Sequence, residues 1–553
     1  MLNGFRGVQC LVFGVQLTVF CWQIVGSAVG QAQTPISGAS GTVLGQQIEA
    51  LVGAPGVSRA HWGVMVEGMD GVPLYGLNSG QLFQPASNAK LFTTAAAMAL
   101  LGPEKRFETR VVARGSISSK GELDGELLLV GGGDANLSGR TVPYVAPPPA
   151  GASGQAPVQE EAEEPKVDPL RYLEAMADEV VKRGIKIVRG DVVGDDTLFP
   201  WEPYGSDWAI EDAVWGYGAP VSALTINDNE VRLSVAPASA AGESATATME
   251  PALPYYTVDL NVTTAGAKDG SLVWVDRGMG SKVVRAYGRV ALGGAADISG
   301  LAIDDPARYG AMAFKALLQE RGVEVTGVAR ASHREAEAMR PYLQVVREPY
   351  PAVAGGAAAG CLGCPWRLAA GERVLASHMS PPLGEDVVVT NKVSQNLHAE
   401  LMLHAMGLLR GDGSTAQGAR AVRQFLLGAG VDGDDFVFFD GSGLSGHDLV
   451  TPRAVVRLLE YAAGQPWFPA WKASLPVGGV DGSLHGRFTQ GPLVGKVFAK
   501  TGTLGEARAL SGYVECASGR TVAFSVLVGG YVPGGRVVQG VIDSIVVAIA
   551  ANE

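Results

Sequence analysis

Cysteine is scarce in this chain, with five residues in 553, which excludes a disulfide-built scaffold. Basic charge is also in deficit. Lys and Arg number 43 against 55 Asp and Glu, a formal charge of −12, so there is no electrostatic footprint for nucleic acid. Glycine is abundant at 75 residues but shows no Gly-X-Y period, which excludes a collagen-like fibre and points to many turns. No internal repeat is apparent. Beyond the first 30 residues, no apolar run is long enough to span a bilayer. A hydrophobic content of 47% with 18% charged residues excludes a disordered chain. The length corresponds to about three to four domains.

The N-terminus reads as a processing signal. After Arg6 no charge appears until Glu49, and Val8 to Ala28 is mostly apolar. Ala28-Val29-Gly30 has the small-residue spacing a signal peptidase reads, which predicts cleavage near Gly30 and an exported, periplasmic-type protein. The alternative is an uncleaved anchor, since the apolar stretch is nearly long enough to span. Phe20 before Cys21 disfavours lipid attachment there. Cleavage removes Cys10 and Cys21 and leaves Cys361, Cys364 and Cys516. Cys361-Leu-Gly-Cys364 suits a small disulfide loop or no bond. Its metal reading pairs it with His398-Ala-Glu400, but zinc deaminases place His-x-Glu before the cysteine pair, the reverse of the order here. No metal and no cofactor are expected.

Along the chain, His61 to Tyr75 reads as a hairpin around Glu67 to Gly71. Asn88 to Leu101 reads as a helix stopped by Gly102-Pro103. From Phe107 to about Leu375, short Val-rich strands alternate with Gly and Asp turns, with helices predicted at Pro169 to Arg183 and Asp305 to Gly322. Residues 142–168 hold Pro147-Pro-Pro149 and the acidic cluster Glu160, Glu161, Glu163 and Glu164, a composition too polar and proline-rich to pack, which predicts a mobile surface loop. Helical spacing returns at Asn396 to Leu409 and Gly418 to Leu427. The chain ends strand (Val497 to Leu504), strand (Ala507 to Cys516), strand (Thr521 to Val528), helix (Gly535 to Ala550). Sequential strands with tight turns imply an antiparallel sheet covered by that apolar helix.

Ser87-Asn-Ala-Lys90 is the one Ser-x-x-Lys match in the chain. Spacing of three on a helix puts both side chains on one face, and free N–H groups at the helix start favour developing negative charge. The helix from Leu91 to Leu101 carries no charge, so it is a buried helix that holds Lys90 at the edge of an apolar interior. Desolvation lowers a lysine pKa and makes the amine a base. Read alone, the pair is more readily a surface serine beside a solvated lysine. Ser394-Gln-Asn396 opens a later helix, where serine is also a plain N-cap. Lys500-Thr501-Gly502-Thr503 lies on a predicted strand. No Gly-x-Ser-x-Gly elbow occurs, which disfavours an α/β-hydrolase. Gly428-Ala-Gly-Val-Asp-Gly433 has dinucleotide spacing but follows a helix and precedes a strand, the wrong order for that motif.

Ser-x-x-Lys, Ser-x-Asn and Lys-Thr-Gly in this order form the set of penicillin-recognising serine enzymes. The chain resembles the low-molecular-mass class C penicillin-binding proteins, D-alanyl-D-alanine carboxypeptidases/endopeptidases of the serine peptidase S13 family. Leu129-Val-Gly-Gly-Gly-Asp134, Leu375 to Leu383 and Asp440-Gly-Ser-Gly-Leu-Ser445 add to the resemblance, which spans roughly Gln46 to Ala550. It implies an α/β (α+β) transpeptidase-like fold, an antiparallel sheet flanked by helices and interrupted by β-rich insertions. The expected layout is a leader (1–30) and a discontinuous catalytic unit (31–109 and 372–553). An inserted region (110–371) separates the two parts of that unit as two nested domains.

The resemblance also implies roles. Ser87 attacks the penultimate D-Ala carbonyl and Lys90 takes its proton. N–H groups of Ser87 and Thr503 form the oxyanion hole. Ser394 relays a proton to the leaving amine, and Asn396 binds the substrate amide and Lys90. Lys500, Thr501 and Thr503, with Gly502 between them, hold the terminal carboxylate, and Lys500 is expected to push the Lys90 pKa down. The implied partners are peptidoglycan stem peptides and β-lactams, with at most peripheral membrane association. A β-lactamase or esterase of the same fold and a non-catalytic cell-wall binding protein are the alternatives.

Overall fold

The computed structural model describes residues 41–148, 167–336, 340–350, 369 and 371–553. The leader, Cys361 and Cys364, and the acidic cluster at 160–164 lie outside the described residues.

Both ends of the chain build one five-stranded antiparallel sheet, in the order Val497–Leu504, Ala507–Glu515, Thr521–Gly529, His61–Gly68, Pro73–Leu77. The C-terminal strands fall where periodicity placed them. The early hairpin joins the same sheet by pairing His61–Gly68 with Thr521–Gly529, a contact no local pattern encodes. Alternate side chains serve two cores. Val64, Val66, Leu510, Phe524 and Val526 pack with Ile545 and Ile549 of the terminal helix Val537–Asn552. Met65, Ala509, Tyr513, Ala523 and Leu527 face Ala89, Phe92 and Leu459 on the other side. A sheet covered on both faces explains why these strands read as continuous apolar runs.

The Ala-rich helix Ala89–Leu100 is buried from Ala89 to Met98. A single 3-10 turn, Ala86–Asn88, precedes it. It ends before Gly102, whose φ of +83° stops the helix without a Cβ penalty. Leu383–Lys392, Asn396–Gly407, Thr415–Gly428 and Pro452–Ala463 form much of the helical layer, with the short Tyr342–Arg347. The last of the longer helices starts at Pro452 behind Thr451, whose Oγ1 accepts the Ala454 N–H at 3.2 Å. Of these, Leu383–Lys392, Pro452–Ala463 and Tyr342–Arg347 were not anticipated.

Between Glu108 and Met379 the chain forms a seven-stranded mixed sheet and two three-stranded sheets. Glu108–Ile117 pairs with both Glu122–Val130 and Glu372–Met379 in the larger one. Its core includes Leu127, Leu129 and Val192 under Leu173, Met176, Phe314 and Leu318. The last four belong to the two expected helices, observed as Arg171–Lys182 and Pro306–Glu320.

Ile545 is fully buried against the sheet. Ile545→Ala should cost about 2–5 kcal/mol in chemical denaturation, from lost transfer energy plus a cavity. A loss below about 1 kcal/mol would show that the terminal helix contributes little to this core.

Candidate active site

Ser87 lies in the 3-10 turn between Pro85 and the buried helix. Ala86 before it has a φ of +47°, a left-handed conformation that costs a non-glycine residue energy and is held by its surroundings. Two glycines make the enclosure possible. A Cβ on Gly443 would stand 1.8 Å from the Ala86 carbonyl oxygen, and one on Gly502 would stand 2.7 Å from that of Pro85. The Lys500–Thr503 strand can therefore lie directly against the serine turn. Asn88 latches the two together, its Nδ2 donating to the Lys500 carbonyl at 2.9 Å.

Lys90 is fully buried, one helical turn beyond Ser87. Its Nζ reaches Ser87 Oγ at 2.9 Å, Asn396 Oδ1 at 2.6 Å and the Ser442 carbonyl at 2.7 Å. Burial lowers its pKa to about 8, against the opposing pull of Asp440, Glu400 and Asp448. Lys500 is likewise fully buried, with Nζ 2.8 Å from Ser394 Oγ and 3.1 Å from the Thr501 carbonyl. Burial and then the positive charge of Lys90 hold it well below the ordinary lysine range. Burial is the largest influence on both lysines, and the positive charge of one beside the other favours the neutral amine.

Ser394 adopts a φ of +64°, which turns the chain sharply into the helix Asn396–Gly407. Asn396 is held at both ends of its amide, Oδ1 by Lys90 and Nδ2 by donation to the Tyr217 carbonyl at 2.8 Å. Thr501 Oγ1 lies 2.7 Å from Ser483 Oγ, and Thr503, farther along the strand, is exposed. Direct hydrogen bonds thus join Ser87, Lys90 and Asn396 in one group and Lys500 and Ser394 in another. Asn88 and Gly502 bring the Lys-Thr-Gly strand against the nucleophile turn.

Several supports were missed from the sequence. Glu400 accepts the Gly441 and Ser442 N–H groups at 2.9 and 2.8 Å, and so fixes the carbonyl that Lys90 uses. Asp440 accepts the N–H groups of Ser442, Gly443 and Ser445 at 3.1, 2.7 and 2.7 Å. An Asp leading Gly-Ser-Gly is an Asx-turn signal that could have marked it. Glu400 stands four residues after Asn396 on the same helix face, the one local clue to its place. His398 and Glu400, weighed above as partners of a cysteine pair, are engaged otherwise. His398 is fully buried with Nδ1 2.5 Å from Asp386 and Nε2 3.1 Å from Asp228.

A helix-flanked antiparallel sheet that brings a buried Ser-x-x-Lys pair against Ser-x-Asn and Lys-Thr-Gly defines a penicillin-binding, β-lactamase-like serine enzyme. The D-Ala-D-Ala carboxypeptidase 3 (S13) family model matches residues 44–349 and 352–552, and the chain belongs to that family. It is 34% identical to the D-alanyl-D-alanine carboxypeptidase of Actinomadura sp. (strain R39), covering 93% of this chain and 86% of that protein. It is 25% identical to the D-alanyl-D-alanine carboxypeptidase DacB of Haemophilus influenzae, covering 83% and 82%. The crystal structure of penicillin binding protein 4 from Haemophilus influenzae shares the fold, with a TM-score of 0.70 at 23% identity over 90% of this chain and 97% of that one. The protein is a serine-type DD-peptidase.

The two carboxylates beside His398 outweigh its burial and raise its pKa to about 9, whereas burial lowers that of His404. Imidazole 15N NMR should find both His398 nitrogens protonated at about pH 8 while His404 is mostly neutral at about pH 6.5, the ordinary midpoint. A neutral His398 at pH 8 would contradict the charge assigned to this buried pair.

Proposed function

We propose that the protein hydrolyses the D-Ala-D-Ala terminus of peptidoglycan stem peptides through an acyl-enzyme on Ser87. The geometry around Lys90 Nζ carries this reading. A neutral amine has two N–H bonds and one lone pair. Asn396 Oδ1 and the Ser442 carbonyl, at 2.6 and 2.7 Å, accept the two N–H bonds. The lone pair is then directed at Ser87 Oγ, 2.9 Å away, where it accepts the hydroxyl proton.

As the proton passes to Lys90, Ser87 Oγ bonds to the carbonyl carbon of the penultimate D-Ala. N–H groups of Ser87 and Thr503 stabilise the oxyanion. The C–N bond then breaks, and the leaving amine takes the proton that Lys90 received, relayed by Ser394, whose Oγ is hydrogen-bonded to Lys500. Lys500, Thr501 and Thr503 hold the terminal carboxylate, with Gly502 letting their strand approach the serine turn. Water attacks the resulting ester, its proton passing to Lys90 and from there to Ser87 Oγ as the ester C–O bond breaks. A β-lactam acylates Ser87 by the same steps, and cross-linked peptides offer the same bond type.

The catalytic unit is read as residues 31–109 and 372–553, with 110–371 inserted, although the strand Glu372–Met379 pairs with Glu108–Ile117 and extends the inserted sheet past that boundary. The shared five-stranded sheet of the two terminal parts supports this division. Export after cleavage near Gly30 is part of the proposal. Among the described residues no helix is long and apolar enough to cross a membrane.

Incubation with benzylpenicillin and peptide mass mapping should place the adduct on Ser87. Lys90→Ala should slow its formation by about 10²–10⁴-fold, the range for loss of a positioned base. An adduct elsewhere, or a wild-type rate in Lys90→Ala, would overturn the assignment. Lys500→Ala should abolish the preference of the wild type for a free terminal carboxylate over its amide. Equal turnover of acid and amide by wild type would remove that role from Lys500.

A further inference from the structure

The tight turn Asn227–Asn229, in the region between the two terminal parts, projects a carboxylate toward the active-site helix. All three residues are left-handed, with φ of 51°, 56° and 56°, a costly arrangement for non-glycine residues. Asn229 braces the turn, its Oδ1 accepting the Ile226 N–H at 3.0 Å and its Nδ2 donating to the Pro220 carbonyl at 2.9 Å. At the tip, Asp228 Oδ1 accepts from His398 Nε2 at 3.1 Å. Its Oδ2 accepts from Gln395 Nε2 at 3.2 Å and from Arg140 Nε at 3.1 Å.

Gln395 and His398 flank Asn396 in sequence. Gln395 is also the cap of the helix, its Oε1 accepting the Leu397 N–H at 2.9 Å. His398 is anchored on its other side by Asp386, on the helix Leu383–Lys392. The four groups alternate in sign, Asp386, His398, Asp228, Arg140, so each buried charge has an opposite neighbour, the condition under which buried charge is tolerated. One carboxylate therefore grips the turn on both sides of the amide that Lys90 uses.

An asparagine amide has one accepting and one donating end. If the Ser394–Asn396 turn slackened, the amide could rotate and present N–H₂ to Lys90. That would remove the acceptor that directs the lysine lone pair. We propose that Asp228 is a positioning residue for acylation: through Gln395 and His398 it fixes the Ser394–Asn396 turn and thereby the Asn396 oxygen that holds Lys90. This rests on the reading of Lys90 as the base. It gives the inserted region a part in the chemistry without contact with the reacting atoms.

The test is a double-mutant cycle on the full-length chain, read as the second-order rate of acylation by a fluorescent penicillin and accompanied by thermal melting. Asp228→Asn keeps the shape and tolerates the left-handed backbone. It should slow acylation about ten- to a hundredfold, as a displaced reacting group does. In the Asn396→Ala background the same change should matter by less than about twofold, since both act on one contact. A wild-type rate in folded Asp228→Asn, or losses that multiply in the double variant, would overturn the proposal. Should Asp228→Asn not fold, Gln395→Met removes one tether from a half-buried side chain and is judged by the same two criteria. A wild-type rate in Asn396→Ala would instead overturn the reading on which the proposal rests.

Discussion

Everything in this active site depends on holding one lysine amine in a dry place. Lys90 is fully buried, and an isolated ammonium there would be too costly to keep. The protein offsets that cost with three acceptors and three carboxylates farther out, Asp440, Glu400 and Asp448. The balance leaves the amine easily deprotonated without making it permanently neutral. Burial lowers the pKa, the carboxylates limit the fall, and fixed acceptors decide where the lone pair points.

That arrangement recruits distant parts of the chain. The Ser442 carbonyl is placed because Glu400 and Asp440 bind the loop that bears it. The Asn396 amide is oriented by the Tyr217 carbonyl on one side and Lys90 on the other. Lys392 ties the helix before Ser394 to Asp481 at 2.7 Å and to the Leu475 carbonyl at 2.6 Å. A sheet buried on both faces gives these attachments a stiff base, since close-packed cores deform little.

The candidate catalytic groups were legible because the proposed chemistry requires particular side chains at particular spacings. Ser87, Lys90, Ser394, Asn396 and Lys500 could each be picked out, and an uncharged helix after Lys90 already indicated burial. Helix positions were also close: Asn88 to Leu101 was expected and Ala89–Leu100 is observed. The supports were less legible for a physical reason. Tyr217 and Ser442 act through backbone carbonyls, which any residue supplies. His398 suggested a metal ligand because its carboxylate partners, Asp386 and Asp228, lie 12 and 170 residues away. The pairing of His61–Gly68 with Thr521–Gly529 is likewise invisible to a local pattern. Asn-Asp-Asn at 227–229 went unremarked, and nothing local in it reveals the target of its carboxylate.

The central claim is that Lys90 is a poised base rather than a permanent ammonium. Its protonation can be followed directly by the 13Cε shift of labelled lysine, assigned by comparison with Lys90→Arg. The account predicts a Lys90 midpoint of about 8, with the Ser87 acylation rate rising through the same range as the amine loses its proton. A midpoint near the ordinary 10.5, with acylation already at full rate at neutral pH, would contradict it.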